Sequence, residues 1–184
     1  MKITVAVHGR WHAFELAGEL HRRGHLDRLM TTYPRAAARR FLPPGVALET
    51  APSLELLRRI SGKIPAFPAP DAFIARRFAA FAARHLPEDS EILVSWSSAT
   101  LEAMEPAHRA GARVVLERGS THIAHQRDVL TAEYQRLGLA PPVIDPRIVA
   151  REEAEYEQAD AIALPTRFAA ETFRKRGFAA DKLL

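Results

Sequence analysis

The sequence predicts an α/β chain: a parallel sheet of about six to seven strands with helices on both faces. Three observations carry this. Short runs rich in Val, Ile and Leu alternate with amphipathic segments of helix length along all 184 residues, the pattern of repeated β–α–β crossovers. Several of those runs are apolar at nearly every position, which suits strands buried on both faces. Gly or Pro stands at many of the junctions, where the chain must turn.

Residues 3–8, ITVAVH, read as a central first strand. Ala13, Leu16, Ala17 and Leu20 then recur at helical spacing, and Gly24 stands where a helix C-cap belongs. Residues 28–32 and 46–49 read as the second and third strands, separated by a basic loop that ends in Pro43-Pro44-Gly45. Residues 54–60 form a short helix, and a broken stretch, 61–71, follows with three prolines and a glycine. Ile74, Phe78, Phe81, Ala82 and His85 mark one face of a helix that ends before Pro87. Residues 92–96 are the fourth strand, and Ser97 and Ser98 are expected to cap the helix that starts near Thr100. Residues 113–117 are the fifth strand, 122–137 a helix and 138–146 a loop. Residues 148–158 form an acidic helix whose Glu152, Glu153, Glu155 and Glu157 read as a solvated face. Residues 161–164 are the sixth strand, and 166–176 a last helix closed by Gly177. Asp181-Lys182-Leu183-Leu184 reads as the opening of another strand, which suggests part of a longer protein. With right-handed crossovers this order gives a Rossmann-like doubly wound domain.

Composition narrows the function classes. There is no cysteine, which excludes disulfide scaffolds, cysteine zinc sites and thiol nucleophiles. The apolar runs are far short of the ~20 residues of a membrane span. The start carries no small-residue cleavage site behind its apolar run, so a cytoplasmic protein is expected. Between residues 35 and 86 there are nine Lys or Arg against three Asp or Glu, a net of +6 within a chain of net +4. This local excess includes Arg58, Arg59, Lys63, Arg76, Arg77 and Arg84, and it attracts polyanions. The helix of Phe73, Phe78 and Phe81 is then either a core helix with a cationic outer face or a surface for anionic lipid headgroups. The charge comes without a nucleic-acid-binding motif, so nucleic acid is not an expected partner.

In an open α/β sheet, ligands bind beyond the carboxyl ends of the strands. The loop after the first strand, His8-Gly9-Arg10-Trp11-His12, has one glycine where a dinucleotide fingerprint has three, so no dinucleotide cofactor is expected. Gly9 either admits a phosphate to the backbone or makes a tight turn. The loop after the fifth strand, Glu117-Arg118-Gly119-Ser120-Thr121-His122, gathers an acid, a guanidinium, an imidazole and two hydroxyls around a glycine. It lines a site, or Ser120 or Thr121 caps the next helix with His122 and His125 on its surface. The His8/His12 pair has i, i+4 spacing but lacks a third ligand, and no metal is expected.

Two stretches resemble a known family. His12-Ala13-Phe14-Glu15-Leu16-Ala17, running on to Arg23-Gly24-His25, is similar to the opening H-x-x-x-L-A-x-x-L-x-x-R-G-H of family 4 retaining glycosyltransferases of the GT-B fold. Glu155-Tyr156, Ala159-Asp160-Ala161-Ile162 and Pro165-Thr166-Arg167-Phe168 resemble that family's E-Y-x-x-A-D-x-I-x-x-P-S-x-F. The resemblance implies that residues 1–184 are the amino-terminal, acceptor-side domain of a two-domain enzyme, whose carboxy-terminal nucleotide-sugar-binding domain lies outside this chain. It implies transfer of a sugar from a nucleotide diphosphate sugar to an acceptor hydroxyl with retention, with no bound cofactor. His122 and Arg118 are the implied catalytic residues, and Gly9, Arg10, His12, Ser97, Glu117, Gly119 and Ser120 the implied substrate contacts. Val7-His8 stands where the family has a Gly-Gly pair. The expected partners are an acceptor sugar or lipid-linked acceptor, the second domain, and an anionic membrane at whose inner face the protein is peripheral. The alternative is a noncatalytic binding module that recognises an anionic surface through its basic segment.

Overall fold

All six predicted strands form, and all pair in parallel. The computed structural model describes residues 1–63, 70–141 and 144–184. In chain order the elements are β1 (Ile3–Val7), α1 (Ala13–Arg22), β2 (Leu26–Thr31), α2 (Arg35–Ala38), β3 (Leu48–Thr50), α3 (Pro52–Ser61), α4 (Asp71–His85), β4 (Ile92–Trp96), α5 (Leu101–Arg109), β5 (Arg113–Glu117), α6 (Ile123–Arg136), α7 (Pro146–Gln158), β6 (Ala161–Ala163) and α8 (Arg167–Arg174). The sheet order is β3-β2-β1-β4-β5-β6. It reverses between β1 and β4, which opens a crevice at their carboxyl ends.

The strand period of two sorts the side chains onto two faces. Val5, Val7, Val94 and Trp96 point to one core with Ala13, Phe14 and Ala17 of α1. Ala6, Met30, Leu93 and Leu116 point to the other, with Phe78 of α4, Met104 of α5, Tyr156 of α7 and Phe173 of α8. This two-faced burial makes β1 buried at all five positions.

Most boundaries move by one or two residues, β2 starting at Leu26 and α7 at Pro146, and three differences bear on the architecture. The third strand lies two residues later, at Leu48–Thr50, because it pairs with the last three residues of β2. The basic loop contains the single-turn α2, an alanine-rich segment that starts after Pro34. Phe41, just beyond α2, packs edge-on against Phe14 and Tyr33. Leu183 makes a single parallel bridge to Ile162 after a 3-10 turn at Ala180–Lys182, so the expected further strand is one bridge at the β6 edge. Within the broken stretch and the loop read at 61–71 and 138–146, residues 64–69 and 142–143 lie outside the described residues.

Candidate functional site

The β1–α1 turn forms the floor of the crevice. Gly9 sits at φ +95°, a conformation costly for other residues. Its N–H donates to Thr32 Oγ1 at 2.8 Å, and Thr31 Oγ1 donates to its carbonyl. Trp11 is left-handed at φ +44° with its indole 64% exposed, held by donation from its ring N–H to the His8 carbonyl at 3.1 Å. Ser98, after β4, is left-handed at φ +73°. Strain of about 1–3 kcal/mol per residue persists where the surroundings over-determine it, and here it concentrates at the strand ends.

Arg10 lies 3.7 Å from the Phe41 ring centroid and pairs with Glu15 at 3.2 Å. His12 precedes α1 with its side chain 61% exposed. Its Nε2 is 3.7 Å from the Glu117 carboxylate, and its ring stands edge-on to Trp96 at 5.1 Å. Burial raises the Glu117 carboxyl above its ordinary value, against the lowering pull of His12. The structure thus joins two predicted contacts, from β1–α1 and β5–α6, into one imidazole–carboxylate pair at the crevice mouth.

Two cavities of about 370 Å³ each flank His8. One is lined by Asp71, Ile74, Ser98, Asp145 and Ile148, the other by Gly9, Arg10, Trp11, Tyr33 and Arg59, while His8 and Arg58 line both. His8 was not among the residues predicted for the site. Its position at the end of a central strand was the available signal, and its burial beside Arg58 was not visible in sequence. Burial, reinforced by Arg58, lowers the His8 pKa, so the ring is neutral near pH 7.

The predicted catalytic pair takes a different place. Arg118 is buried, and its fork is directed inward: Nε donates to the Thr121 carbonyl at 3.0 Å, Nη2 to Gln126 Oε1 at 2.8 Å, and Nη1 pairs with Glu152 at 3.0 Å and reaches Ser97 Oγ at 3.4 Å. His122 is itself the N-cap of α6, its Nδ1 accepting from the Ala124 N–H at 3.2 Å. Its ring is buried against Tyr156 and Phe173, both at 4.9 Å. The structure therefore brings neither residue to the two cavities. Gly119 is exposed and Ser120 half-buried in the turn between them.

The capping expectation is corrected as well. Neither Ser97 nor Ser98 caps α5. Glu155 of α7 does so, accepting from the N–H groups of Ser98 at 2.6 Å, Thr100 at 2.8 Å and Leu101 at 3.0 Å. Of the four glutamates of the acidic helix, Glu153 and Glu157 are accordingly solvated, while Glu152 and Glu155 are buried. Ser98 Oγ and the Tyr156 hydroxyl donate to Glu152, and Arg151 donates to the Ser98 carbonyl at 2.6 Å and pairs with Glu102. These charges are buried because each has partners.

Burial pushes the Glu155 carboxyl up to about 7, against the backbone N–H groups and Arg151 that favour its charged form. Burial, with Arg176 and Arg118, pushes the His122 imidazole down to about 4. The two titrations oppose each other. A carboxyl raised in the folded state contributes stability that is complete below its ordinary 4.5 and lost as pH rises through about 7. An imidazole lowered in the folded state loses stability as pH falls from its ordinary 6.5 towards about 4. Their slopes cancel over the shared window. Urea unfolding should show Glu155→Gln losing about 3 kcal/mol between pH 6.5 and 4, relative to the native chain, and His122→Gln gaining a comparable amount as pH falls from 7 to 4.5. Identical pH slopes in all three proteins would refute the cancellation.

The basic segment is not one surface. Arg58 and Arg59 bracket the buried Glu55, with contacts of 2.8 Å and 2.7 Å. Burial alone would raise Glu55, but the two guanidiniums outweigh it and hold the carboxyl below its ordinary value. Arg77 and Arg84 line a separate hollow with Phe81, and Lys63 and Arg76 are exposed. Among the described residues no group of three or more His, Asp or Glu is placed to hold a metal ion, and no helix is long and apolar enough to cross a membrane.

No family model and no curated protein matches the sequence. Solved structures do match. A UDP-glucosyltransferase from Polygonum tinctorium is similar with a TM-score of 0.56 at 14% identity, over 99% of this chain and 51% of that one. UGT2 of Phytolacca americana, complexed with UDP-2-fluoro-glucose and pterostilbene, is similar at 0.58 and 13%, over 99% and 52%. The UDP-GlcNAc 2-epimerase of Methanocaldococcus jannaschii is similar at 0.56 and 10%, over 100% and 45%. This chain spans about half the length of the structures it matches. Likeness at such identities establishes architecture, and the chain has the Rossmann-like fold of one half of a GT-B protein.

Proposed function

We propose that this chain is the acceptor-side half of a glycosyltransferase that moves a sugar from a nucleotide diphosphate sugar to an acceptor hydroxyl. The observation that carries the reading is the match of the whole chain to about half of solved UDP-glucosyltransferases. In this reading the acceptor lies in the crevice beside His8 and His12, and a second domain beyond this chain holds most of the donor. Positioned donors and cations, rather than a bound cofactor, stabilise the charge on the departing diphosphate. The 184 residues alone should release no nucleotide, because transfer needs both walls of the cleft. The test is release of nucleoside diphosphate by the whole protein across a panel of nucleotide sugars and acceptors. Release dependent on an acceptor supports the reading, and none across the panel refutes it.

The family resemblance implies retention at the anomeric carbon. The His12–Glu117 pair supports a second stereochemical reading: an exposed imidazole oriented by a half-buried carboxylate is built to take a hydroxyl proton, and a base-assisted single displacement inverts. The anomeric configuration of the first product, read by proton NMR, decides between them.

A binding role at an anionic membrane has its own observation. Helix α3, the turn after it and helix α4 expose Leu56, Ile60 and Phe73 along with Lys63, Arg76 and Arg77, the apolar and cationic residue types that an interfacial surface uses. Co-sedimentation with phosphatidylglycerol vesicles but not phosphatidylcholine vesicles, lost in Arg76→Gln/Arg77→Gln, is the expected result. Equal sedimentation with both lipids would sink it.

A further inference from the structure

The two cavities that meet at His8 differ in chemistry. On one side, Asp71 and Ser98 face the aliphatic Ile74, Ala75 and Ile148. Such a lining suits a polyol ring, whose hydroxyls donate to a carboxylate while its C–H face rests on methyl groups. On the other side Arg58 and Arg59 bracket one buried carboxylate, Glu55, and Arg10, held by Glu15 and the Phe41 ring, lines the same cavity with Trp11 and Tyr33 as walls. Glu55 fixes both neighbouring forks: it accepts from Arg58 Nε and Nη2 at 3.1 and 2.8 Å and from Arg59 Nε at 2.7 Å. Among the described residues the remaining terminal nitrogens, Nη1 of Arg58 and both Nη atoms of Arg59, make no hydrogen bond within the chain. Pre-oriented guanidinium forks with free donors recognise phosphate. Between the two halves, His8 Nδ1 is buried and has no hydrogen-bond partner among the described residues. A buried ring nitrogen is normally satisfied, and one orphaned on the shared wall of two cavities points to a ligand that satisfies it.

We propose that the crevice takes a phosphorylated polyol, with its hydroxylated ring beside Asp71 and Ser98, its phosphate beside Arg10, Arg58 and Arg59, and His8 Nδ1 hydrogen-bonded to the ligand between them. This rests on the reading of the crevice as the acceptor site and names the class of acceptor. A soluble sugar phosphate and the headgroup of a phosphoinositide present the same chemistry.

The test uses the 184-residue chain, labelled with nitrogen-15, and follows the ring nitrogens of His8 by long-range proton–nitrogen NMR. Glucose 6-phosphate should shift the His8 Nδ1 signal and bind about tenfold more tightly than either glucose or inorganic phosphate. Arg59→Gln, a change at a half-exposed side chain, should weaken the ester about tenfold and leave glucose unchanged. Asp71→Asn should weaken the ester and glucose together and leave inorganic phosphate unchanged. Vesicles containing phosphatidylinositol 4-phosphate distinguish the sources. A His8 shift on those vesicles assigns the lipid headgroup, and a shift with the soluble ester alone assigns a free sugar phosphate. Equal affinity for ester and inorganic phosphate, a His8 signal that no probe moves, or an Arg59→Gln chain that binds the ester normally would each overturn the proposal. Ester binding without nucleotide release by the whole protein would leave this proposal standing and refute the transferase reading. Release without ester binding would do the reverse.

Discussion

Glu155→Ala should lose about 3–5 kcal/mol of stability, measured by urea unfolding above pH 7, where the carboxylate is charged. The loss has a defined origin. The carboxylate is the shared acceptor for three backbone N–H groups at the start of α5, and it lies 3.6 Å from Arg151 Nε. Its removal orphans three donors in a dry place, at a cost well beyond that of a cap on an exposed helix. It also removes part of what neutralises Arg151, which keeps Glu102. Glu155→Gln should fall between the two proteins, since its amide oxygen accepts but its amine faces donors. A loss below about 1 kcal/mol for Glu155→Ala would mean that water replaces the carboxylate, and that the α7–α5 junction is wetter than its burial indicates.

If the proposed transferase reading holds, His12→Gln in the whole protein should reduce kcat by about 10²–10⁴ with little change in the KM of the acceptor. The imidazole is well placed for proton transfer: its Nε2 lies 3.7 Å from the Glu117 carboxylate, its ring stands edge-on to Trp96, and its side chain is exposed. Glutamine keeps the size and a donor directed at Glu117 and loses the base. Glu117→Gln should lower kcat less, because it removes the orienting charge and leaves the proton acceptor in place. A His12→Gln enzyme that loses less than about tenfold in kcat, or loses it in KM alone, would return His12 to acceptor binding. Because Arg118 and His122 are committed to internal partners, their replacement should reduce stability before it reduces turnover.

The fold was legible because it is written in local periodicity. The central strands are continuous apolar runs, and α4 shows its buried face at 74, 78 and 82. Edges were less legible: three residues of pairing with β2 decide where β3 lies, and contacts of that kind do not alter the local pattern. The gathering of residues at the strand ends was also legible: Gly9, Arg10, His12 and Glu117 lie at the carboxyl ends of β1 and β5. The sorting of polar residues within it was not. In sequence, Glu152 and Glu155 resemble Glu153 and Glu157, yet the first two are buried by donors on the β4–α5 and β5–α6 turns. Similarly, His122 stood out because hydroxyls and charges surround it in the chain, while in space it is surrounded by aromatic rings. His8 was weighed only as half of an incomplete metal pair, and folding placed it between two cavities.

The sequence by itself determined the order of elements, the parallel sheet and the excess of basic charge in residues 35–86. Each depends on residues within a few positions of one another. The tertiary structure decided which carboxylates are buried, which guanidiniums are committed to Glu55 and Glu152, and which histidine faces the crevice. The physical reason is that desolvation and hydrogen bonding act over a few ångströms of space, and the groups that bury Glu155 lie up to 57 positions away in the chain.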